Sequence, residues 1–262
     1  MNSLVIGLNS QLSYYFPSDY EVVSSRNLDF QSFVDKTYDR AFICFAEQRT
    51  FLRDADYQMF HDVNVDYTKK VIEFFGDKCN SIVVYGTSEL WNNYKGAIDT
   101  SLKFNYIETP YIRSKEAMCH MVDELRQHTK AKIIVVHPYN FNSPYRKDGF
   151  LFSKIFRSIL NKEKVEIGDV NIFRDLIHPR YVVQKSIEAQ HDIVVGSGKL
   201  TFVKGFIQNL YEYNGLNYDS FVTENLGIYQ AERKVNYSRL REYDNLLIDT
   251  LDDFTIHNKA SQ

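Results

Sequence analysis

Cysteine, proline and tryptophan are scarce in this 262-residue chain, which has three Cys, five Pro and one Trp. The cysteines, Cys44, Cys79 and Cys119, are odd in number and show no C-x-x-C spacing. That pattern argues against a disulfide framework or a zinc site and fits a reducing compartment. The seven histidines form no ligand-like cluster, so no metal is expected. Eleven glycines are too few for a fibrous or low-complexity chain. No apolar run approaches about eighteen residues, so no segment reads as a membrane span. The start, "MNSLVIGLNS", lacks the basic segment and long apolar core of a secretion signal. The expectation is a cytoplasmic protein. Positive charge is not in excess either: 31 Lys and Arg against 34 Asp and Glu give a net charge of −3. Nothing in that balance attracts nucleic acid or an anionic membrane, so any polyanion needs a local site.

What is present is an ordinary globular composition, 44% hydrophobic and 25% charged, with 19 Tyr and 19 Phe. Short β-branched runs alternate with helical patterns. "SLVIGL" (3–8), "YEVVSS" (20–25), "RAFICFA" (40–46), "NSIVVYG" (80–86) and "AKIIVVHP" (131–138) read as strands. A turn and short helix follow the first strand, and longer helices fill roughly 53–75 and 111–128. Strands apolar on both faces, separated by helices, predict an α/β fold with a parallel sheet covered on both sides. Beyond residue 138 come a loop, a helix in "FLFSKIFRSIL", a strand pair or loop in "KVEIGDVNIFRDL" and a helix at 179–190. "HDIVVGSG" (191–198) returns to the sheet. Helices at 199–213 and 237–249 and a frayed tail, "TIHNKASQ", complete the chain. The expected organisation is a nucleotide-binding domain over 1–140, with 181–198 returning to it, and a small lobe from 141–180 and 199–262.

The turn after the first strand is "GLNSQLS", with Gly7, Ser10 and Ser13 at the spacing of a G-x-x-G-x-x-G phosphate loop. Such a loop holds a dinucleotide pyrophosphate on free amides and the positive end of a helix. Serine is small and its hydroxyl can donate to phosphate, but it adopts positive φ poorly. A plain structural turn and a cofactor loop both stay open on this motif alone. The second strand ends in "SSRN", so Ser25 and Arg26 stand where an acid would bind the adenosine ribose. Those residues favour NADP over NAD, unless Arg26 is only a solvated loop residue.

Tyrosine and lysine stand four apart twice, as Tyr111/Lys115 and as Tyr181/Lys185. The spacing decides nothing, but the context of the first pair does. Ahead of it lies "VVYGTSELW", with Thr87, Ser88 and Glu89, and behind it "HPYNFNSPYR" and then "FRDLIHPRYVV". This order over residues 3–200 resembles the extended short-chain dehydrogenase/reductases that act on nucleotide sugars, the epimerase/dehydratase and 4-keto-reductase group. The likeness includes a Ser/Thr segment about two dozen residues before Y-x-x-x-K, an R-x-x-N-like segment with Asn140, an "RD-x-x-H" element with Arg174, and a helix carrying Asn64. The chemistry asks for the same residue types. Hydride transfer at a sugar carbon moves a proton in the same step. A free phenol is too weak a base for that at neutral pH, and a lysine one helical turn away places a cation on its face.

The resemblance implies a Rossmann-type doubly wound sheet with a small C-terminal substrate-binding lobe. It implies catalysis by Thr87, Tyr111 and Lys115, with Glu89 as a dehydratase-type base or merely the holder of its loop. Cofactor contacts are implied at Gly7, Ser10, Gln11, Leu12, Ser25, Arg26, Ala46 and Pro138, besides Tyr111 and Lys115. The sugar nucleotide would meet Ser88, Glu89, Asn140, Arg146 and Arg174. Arg146 and Lys154 are ordinary solvated cations on the simpler reading, and Lys185 is a surface or helix-capping residue. The short chain, the "GLNSQLS" turn and the "SSRN" strand end lean toward an NADPH-dependent 4-keto-reductase of deoxysugar, O-antigen or capsule synthesis. A dehydratase, an epimerase and a non-catalytic relative are the alternatives. The stripe Ala117, Met118, Met121, Val122 and Leu125 either packs on its own sheet or forms the homodimer face the resemblance implies.

Overall fold

A computed structural model describes residues 2–52, 55–228 and 233–260. Its centre is one sheet of β1 Ser3–Ile6, β2 Glu21–Val23, β3 Tyr38–Ile43, β4 Cys79–Tyr85, β5 Lys132–Pro138 and β6 Ile193–Val195. The spatial order is β6-β5-β4-β3-β1-β2, and every pairing is parallel. The chain moves outward from β1 to β2 and then crosses back to β3, so the winding reverses between β1 and β3. Ligands of open α/β sheets bind in the crevice beyond the carboxyl ends of such a pair. Gly7 lies there with φ +139°, and a Cβ on it would come within 3.0 Å of the Cys44 backbone. Only glycine lets β1 turn away that close to β3.

One face of the sheet carries a helix pair. α1 (57–75) has α-helical ends around a wider π-helical segment, Asp62–Tyr67. That segment turns Asn64 inward, where its amide donates to Glu47 O at 3.1 Å and Ser114 Oγ at 3.0 Å. Its Oδ1 accepts from Glu47 N at 2.9 Å. The extra residue of a π turn thus binds α1 to the loop after β3 and to the neighbouring helix. On the outside of α1, His61, Asp62 and Asp66 lie within 4.8 Å of one another, with His61 and Asp66 forming an exposed pair at 3.2 Å. α2 (Pro110–Leu125) starts where Thr109 accepts from Ile112 N at 3.2 Å and Pro110 fills the first turn. Its stripe Met118, Met121, Val122 and Leu125 is buried within this chain, and Ala117 is half-buried.

The opposite face is built differently. Alternate β3 residues point there: Phe42 meets Phe16 and Tyr20, and Arg40 donates to Ser186 O at 3.2 Å and Ile187 O at 2.6 Å. Ser186 and Ile187 belong to α4 (Pro179–Glu188), which follows α3 (Leu151–Asn161) in the chain. Between β1 and β2, where a short helix was expected, there is a single 3-10 turn, Ser13–Tyr15. Pro17 and the short span before β2 leave no length for more.

Buried apolar side chains form a second cluster around α3 and α5 (Val203–Tyr213), joined by Phe254 of α6 (Leu246–Ala260). The helix expected at 237–249 is displaced. Val235–Ser238 is a strand lying parallel to Lys95–Ile98, and α6 begins only at Leu246. Asn236 and Ser238 bond backbone carbonyls with their side chains, which competes with helix formation. The helix continues to Ala260 through the segment read as frayed, whose last two residues lie outside those described. Likewise Thr201–Phe202 pairs with Phe173–Arg174 before α5 starts. α6 is tied to both clusters, because Asp253 accepts from the Tyr15 hydroxyl and from His178 Nε2 at 2.8 Å. His178 Nδ1 accepts from Arg180 N, which leaves the ring proton on Nε2.

Asp175 is the knot among these segments. Its buried carboxylate accepts from Ser197 N and Oγ, both at 2.7 Å, from Gly198 N at 3.1 Å and from Ser238 N at 2.9 Å. Replacing it with alanine orphans buried amides from two segments, each worth about 1–3 kcal/mol. Asp175→Ala is expected to lose about 3 kcal/mol or more in urea denaturation. A loss below about half a kcal/mol would contradict this role.

Candidate active site

β4 delivers the first component. Past Tyr85 and Gly86, Thr87 caps the turn Ser88–Trp91, its Oγ accepting from Glu89 N at 3.3 Å. The turn rests on His137 of β5. A Cβ on Gly86 would come within 2.3 Å of His137 Nδ1, and Trp91 meets the His137 ring edge-on at 5.0 Å. Burial pushes His137 down to about 4, against the pull of Asp192 and a bond with the Thr87 backbone, so the ring is neutral at pH 7.

Helix α2 brings the second component to the same place. Tyr111 is half-buried, packed edge-on against Phe60 at 5.8 Å. Burial pushes its phenol up to about 12; a hydrogen bond with Thr87 pulls it down, Glu89 pushes it up and Arg146 pulls it down. Lys115 is buried one turn along, and its ammonium donates to Tyr85 O at 2.8 Å. Burial lowers the lysine to about 8. Arg146 is a cation that lowers the phenol.

Arg146 is not the solvated residue of the simpler reading. Its guanidinium lies 3.7 Å from the Phe150 ring centre, and its buried Nε has no hydrogen-bond partner among the described residues. Burial lowers it to about 10, and Tyr111 raises it. Arg174, half-buried, donates to Phe173 O at 2.8 Å and helps hold the Glu89 carboxyl down. Ser88 is buried beside Thr87, Lys154 is half-buried on α3, and the Asn140 side chain is exposed at the short Asn140–Phe141 ladder.

The turn after β1 has used its serines. Ser13 Oγ donates to Leu8 O at 2.9 Å and Ser10 O at 2.6 Å, and Ser10 Oγ accepts from Leu12 N at 3.3 Å. Those hydroxyls hold the loop and are not turned outward for phosphate. With three 3-10 residues behind it, the loop lacks a helix dipole. Leu12 is buried, and Gln11 ties the loop to the segment after β5: its Oε1 accepts from Ser143 Oγ at 3.2 Å. Ala46 is half-buried just past β3, and Pro138 ends β5. At the end of β2, Arg26 is exposed, while Asp29, the nearest acid, is occupied in capping its own turn.

The second tyrosine–lysine pair is spent elsewhere. Tyr181 is buried and stacked on Tyr243 at 4.4 Å, and Lys185 binds Glu188 at 3.1 Å and Glu242 at 2.7 Å. Sequence reasoning missed two residues at the site. His137 lies inside the quoted "HPYNFNSP" yet received no role, although its place under Gly86 is what sets the Thr87 turn. Lys234 binds the Glu89 carboxylate from 145 positions away, and no local pattern announces it.

The residues suit a nicotinamide cofactor at one end. Of the three N–H donors on the buried Lys115 ammonium, the described residues engage one, so donors remain for a ribose diol.

Known proteins resemble this chain in sequence family and in fold. The model of the NAD dependent epimerase/dehydratase family matches residues 24–191. No curated protein sequence matches. Similar solved structures include the UDP-N-acetylglucosamine 4-epimerase of Methanobrevibacter ruminantium in complex with UDP-N-acetylmuramic acid, at 14% identity, TM-score 0.78 and 98% coverage of both chains. The UDP-glucuronic acid 4-epimerase of Bacillus cereus with NAD gives 15%, 0.74 and 97% of both chains. RMD from Pseudomonas aeruginosa complexed with NADPH gives 15% and 0.75, covering 97% of this chain and 99% of that one. At these identities the likeness concerns the fold.

Two stability effects follow from the buried bases. Lys115→Met removes an ammonium whose burial costs free energy, at the expense of one hydrogen bond to Tyr85. It is expected to gain about 2 kcal/mol in chemical denaturation, and a loss would show that the bond to Tyr85 outweighs the cost of burying the ammonium. His137, lowered from 6.5 to about 4, binds its proton more readily unfolded than folded. Its contribution is therefore complete above about pH 6.5 and falls away toward pH 4. His137→Asn is expected to flatten the melting-temperature slope in that window, and an unchanged slope would assign the pH dependence to other groups.

Proposed function

Since the chain belongs to the NAD dependent epimerase/dehydratase family, we propose that it is an NAD(P)-dependent reductase of a nucleoside-diphosphate-linked 4-keto-6-deoxyhexose in glycan synthesis. A reduced nicotinamide, when bound, supplies the hydride. The chain's own residues handle the proton and the orientation. The carrying observation is geometric: the Lys115 ammonium donates to Tyr85 O at 2.8 Å and so holds the helix that bears Tyr111 against the strand end that bears Thr87, where burial raises the phenol and keeps it protonated. A protonated phenol is ready to donate to a carbonyl oxygen as that oxygen gains charge, which is the proton step of reduction. Oxidation of a hydroxyl, with which an epimerase or dehydratase cycle opens, needs the phenolate instead. Thr87 shares the reacting oxygen with Tyr111 and stabilises the charge that builds there. Lys115 keeps two donors for the ribose, which fixes the ring over the sugar carbon.

Arg146 and Arg174 supply positive charge for the substrate diphosphate in this reading. Arg26, without an acid at the adjoining strand end, supports NADPH over NADH. A homodimer through α1 and α2 belongs to the same proposal. Its support is the family resemblance, because four of the five stripe residues of α2 are already consumed in the chain's own core.

A second reading has one observation in its favour. The Ser10 and Ser13 hydroxyls are engaged within their own loop, which fits a relative that binds nucleotide sugar without turnover. NADPH titration followed by nicotinamide fluorescence, then NADPH oxidation at 340 nm (an assay wavelength) with an NDP-4-keto-6-deoxyhexose, separates the two. The reductase oxidises NADPH stoichiometrically with product, and Tyr111→Phe lowers kcat by about a hundredfold or more. Absence of binding at millimolar NADPH, or full turnover by the phenylalanine variant, would overturn the proposal.

A further inference from the structure

Glu89 is the carboxylate that acts on Tyr111, and it is not free. Lys234 Nζ binds its Oε2 in a pair whose side chains are 16% and 24% exposed, and Asn92 Nδ2 donates to the same oxygen at 3.3 Å. Arg174 adds a second positive charge from the Phe173–Arg174 ladder, while Tyr111 and Tyr139 face the carboxylate as neutral phenols. Lys234 is delivered by a fixed segment. The strand beginning at the next residue, Val235–Ser238, lies parallel to Lys95–Ile98. Asn236 secures it by donating to Trp91 O at 2.8 Å and accepting from the Tyr139 hydroxyl at 3.1 Å. Ser238 secures it by donating to Asp175 Oδ2 at 2.9 Å. Asn236 thus grips the carbonyl of Trp91, the last residue of the turn that holds Glu89. Lys234 adjoins a hydrogen-bonded strand and Glu89 lies in a capped turn, and the pair is largely removed from solvent, unlike a surface pair.

The chemistry at stake is the C5 proton of a 4-keto sugar. It is acidic because the neighbouring ketone can take the electron pair as an enolate. A carboxylate beside Tyr111 could remove it while the phenol protonates the C4 oxygen, and return of a solvent proton to C5 would restore the ketone. A carboxylate paired with an ammonium, an amide and a guanidinium is a weakened base for that step. Resting on the reductase reading above, we propose that Lys234 selects the reaction. By pairing with Glu89 it withholds the carboxylate from proton abstraction and keeps it as an acceptor for a sugar hydroxyl, so the ketone is reduced without enolisation.

The first test needs no turnover. The Glu89 side-chain carboxyl, followed by carbon-13 NMR in the cofactor-free protein, is expected to titrate below the ordinary glutamate range, to move upward in Lys234→Met and Lys234→Gln, and to return in Lys234→Arg. An unchanged titration in both neutral variants overturns the proposal. The second test places protein and NDP-4-keto-6-deoxyhexose in deuterium oxide without NADPH and follows C5–H by proton NMR against a protein-free control. The wild type is expected to stay at the control rate and Lys234→Gln to exceed it by about tenfold or more, with the gain lost in the Glu89→Gln/Lys234→Gln double variant. Exchange by the wild type as fast as by Lys234→Gln overturns the selection. A protein that oxidises no NADPH yet shows the titration shift would refute the reductase reading and leave the ion-pair lock standing, so the two failures are distinguishable.

Discussion

Burying the Lys115 ammonium against the carbonyl of Tyr85 ties the helix that carries Tyr111 to the strand that ends in Thr87. An ammonium removed from water must be held by acceptors, and here the acceptor is the last residue of β4. That bond acts together with the buried stripe of α2 to orient the helix about its axis. With Lys115 turned toward β4, Tyr111, four residues earlier on the same helical face, comes to the start of the turn that β4 feeds. The arrangement is reinforced from beneath, where His137 fills the space that a side chain on Gly86 would need. It is reinforced from the side by Asn64, whose amide holds Ser114 between the tyrosine and the lysine.

Charge is divided unevenly around this corner. Lys115 is held by the last carbonyl of β4, Arg146 lowers the phenol, and Lys234 and Arg174 hold Glu89. Each carboxylate and cation that could disturb Tyr111 therefore has an assigned partner or a buried position. The phenol itself stays protonated, in the form that donates.

The pyrophosphate end is the sparse part of the molecule. One 3-10 turn stands between β1 and β2, and its serines stabilise the loop from within. What remains for a dinucleotide is the crevice at the winding reversal, opened by Gly7, and the grip of Gln11 on the segment after β5.

The strand runs and the two long helices were legible in the chain because hydrophobic periodicity is a local property: β1, β2, β5 and β6 fall within the segments that periodicity marked, and β3 and β4 overlap theirs but begin earlier, at Tyr38 and Cys79. The Tyr111–Lys115 spacing was legible for the same reason, since a helix puts residues four apart on one face. The C-terminal segment was misread, because "VNYS" gains its strand only by lying against Lys95–Ile98, a partner far away in sequence. The short turn after β1 was misread as a helix because a glycine-serine pattern says how the backbone bends and not how long the following element can be. Periodicity and residue type therefore determined the parallel sheet, its covering helices and the tyrosine–lysine pair. Which cation faces the phenol, which one occupies Glu89 and what the serines do were decided by tertiary structure. Those depend on distances between segments as far apart as 145 residues, and electrostatics in a buried site follows distance in space and not along the chain.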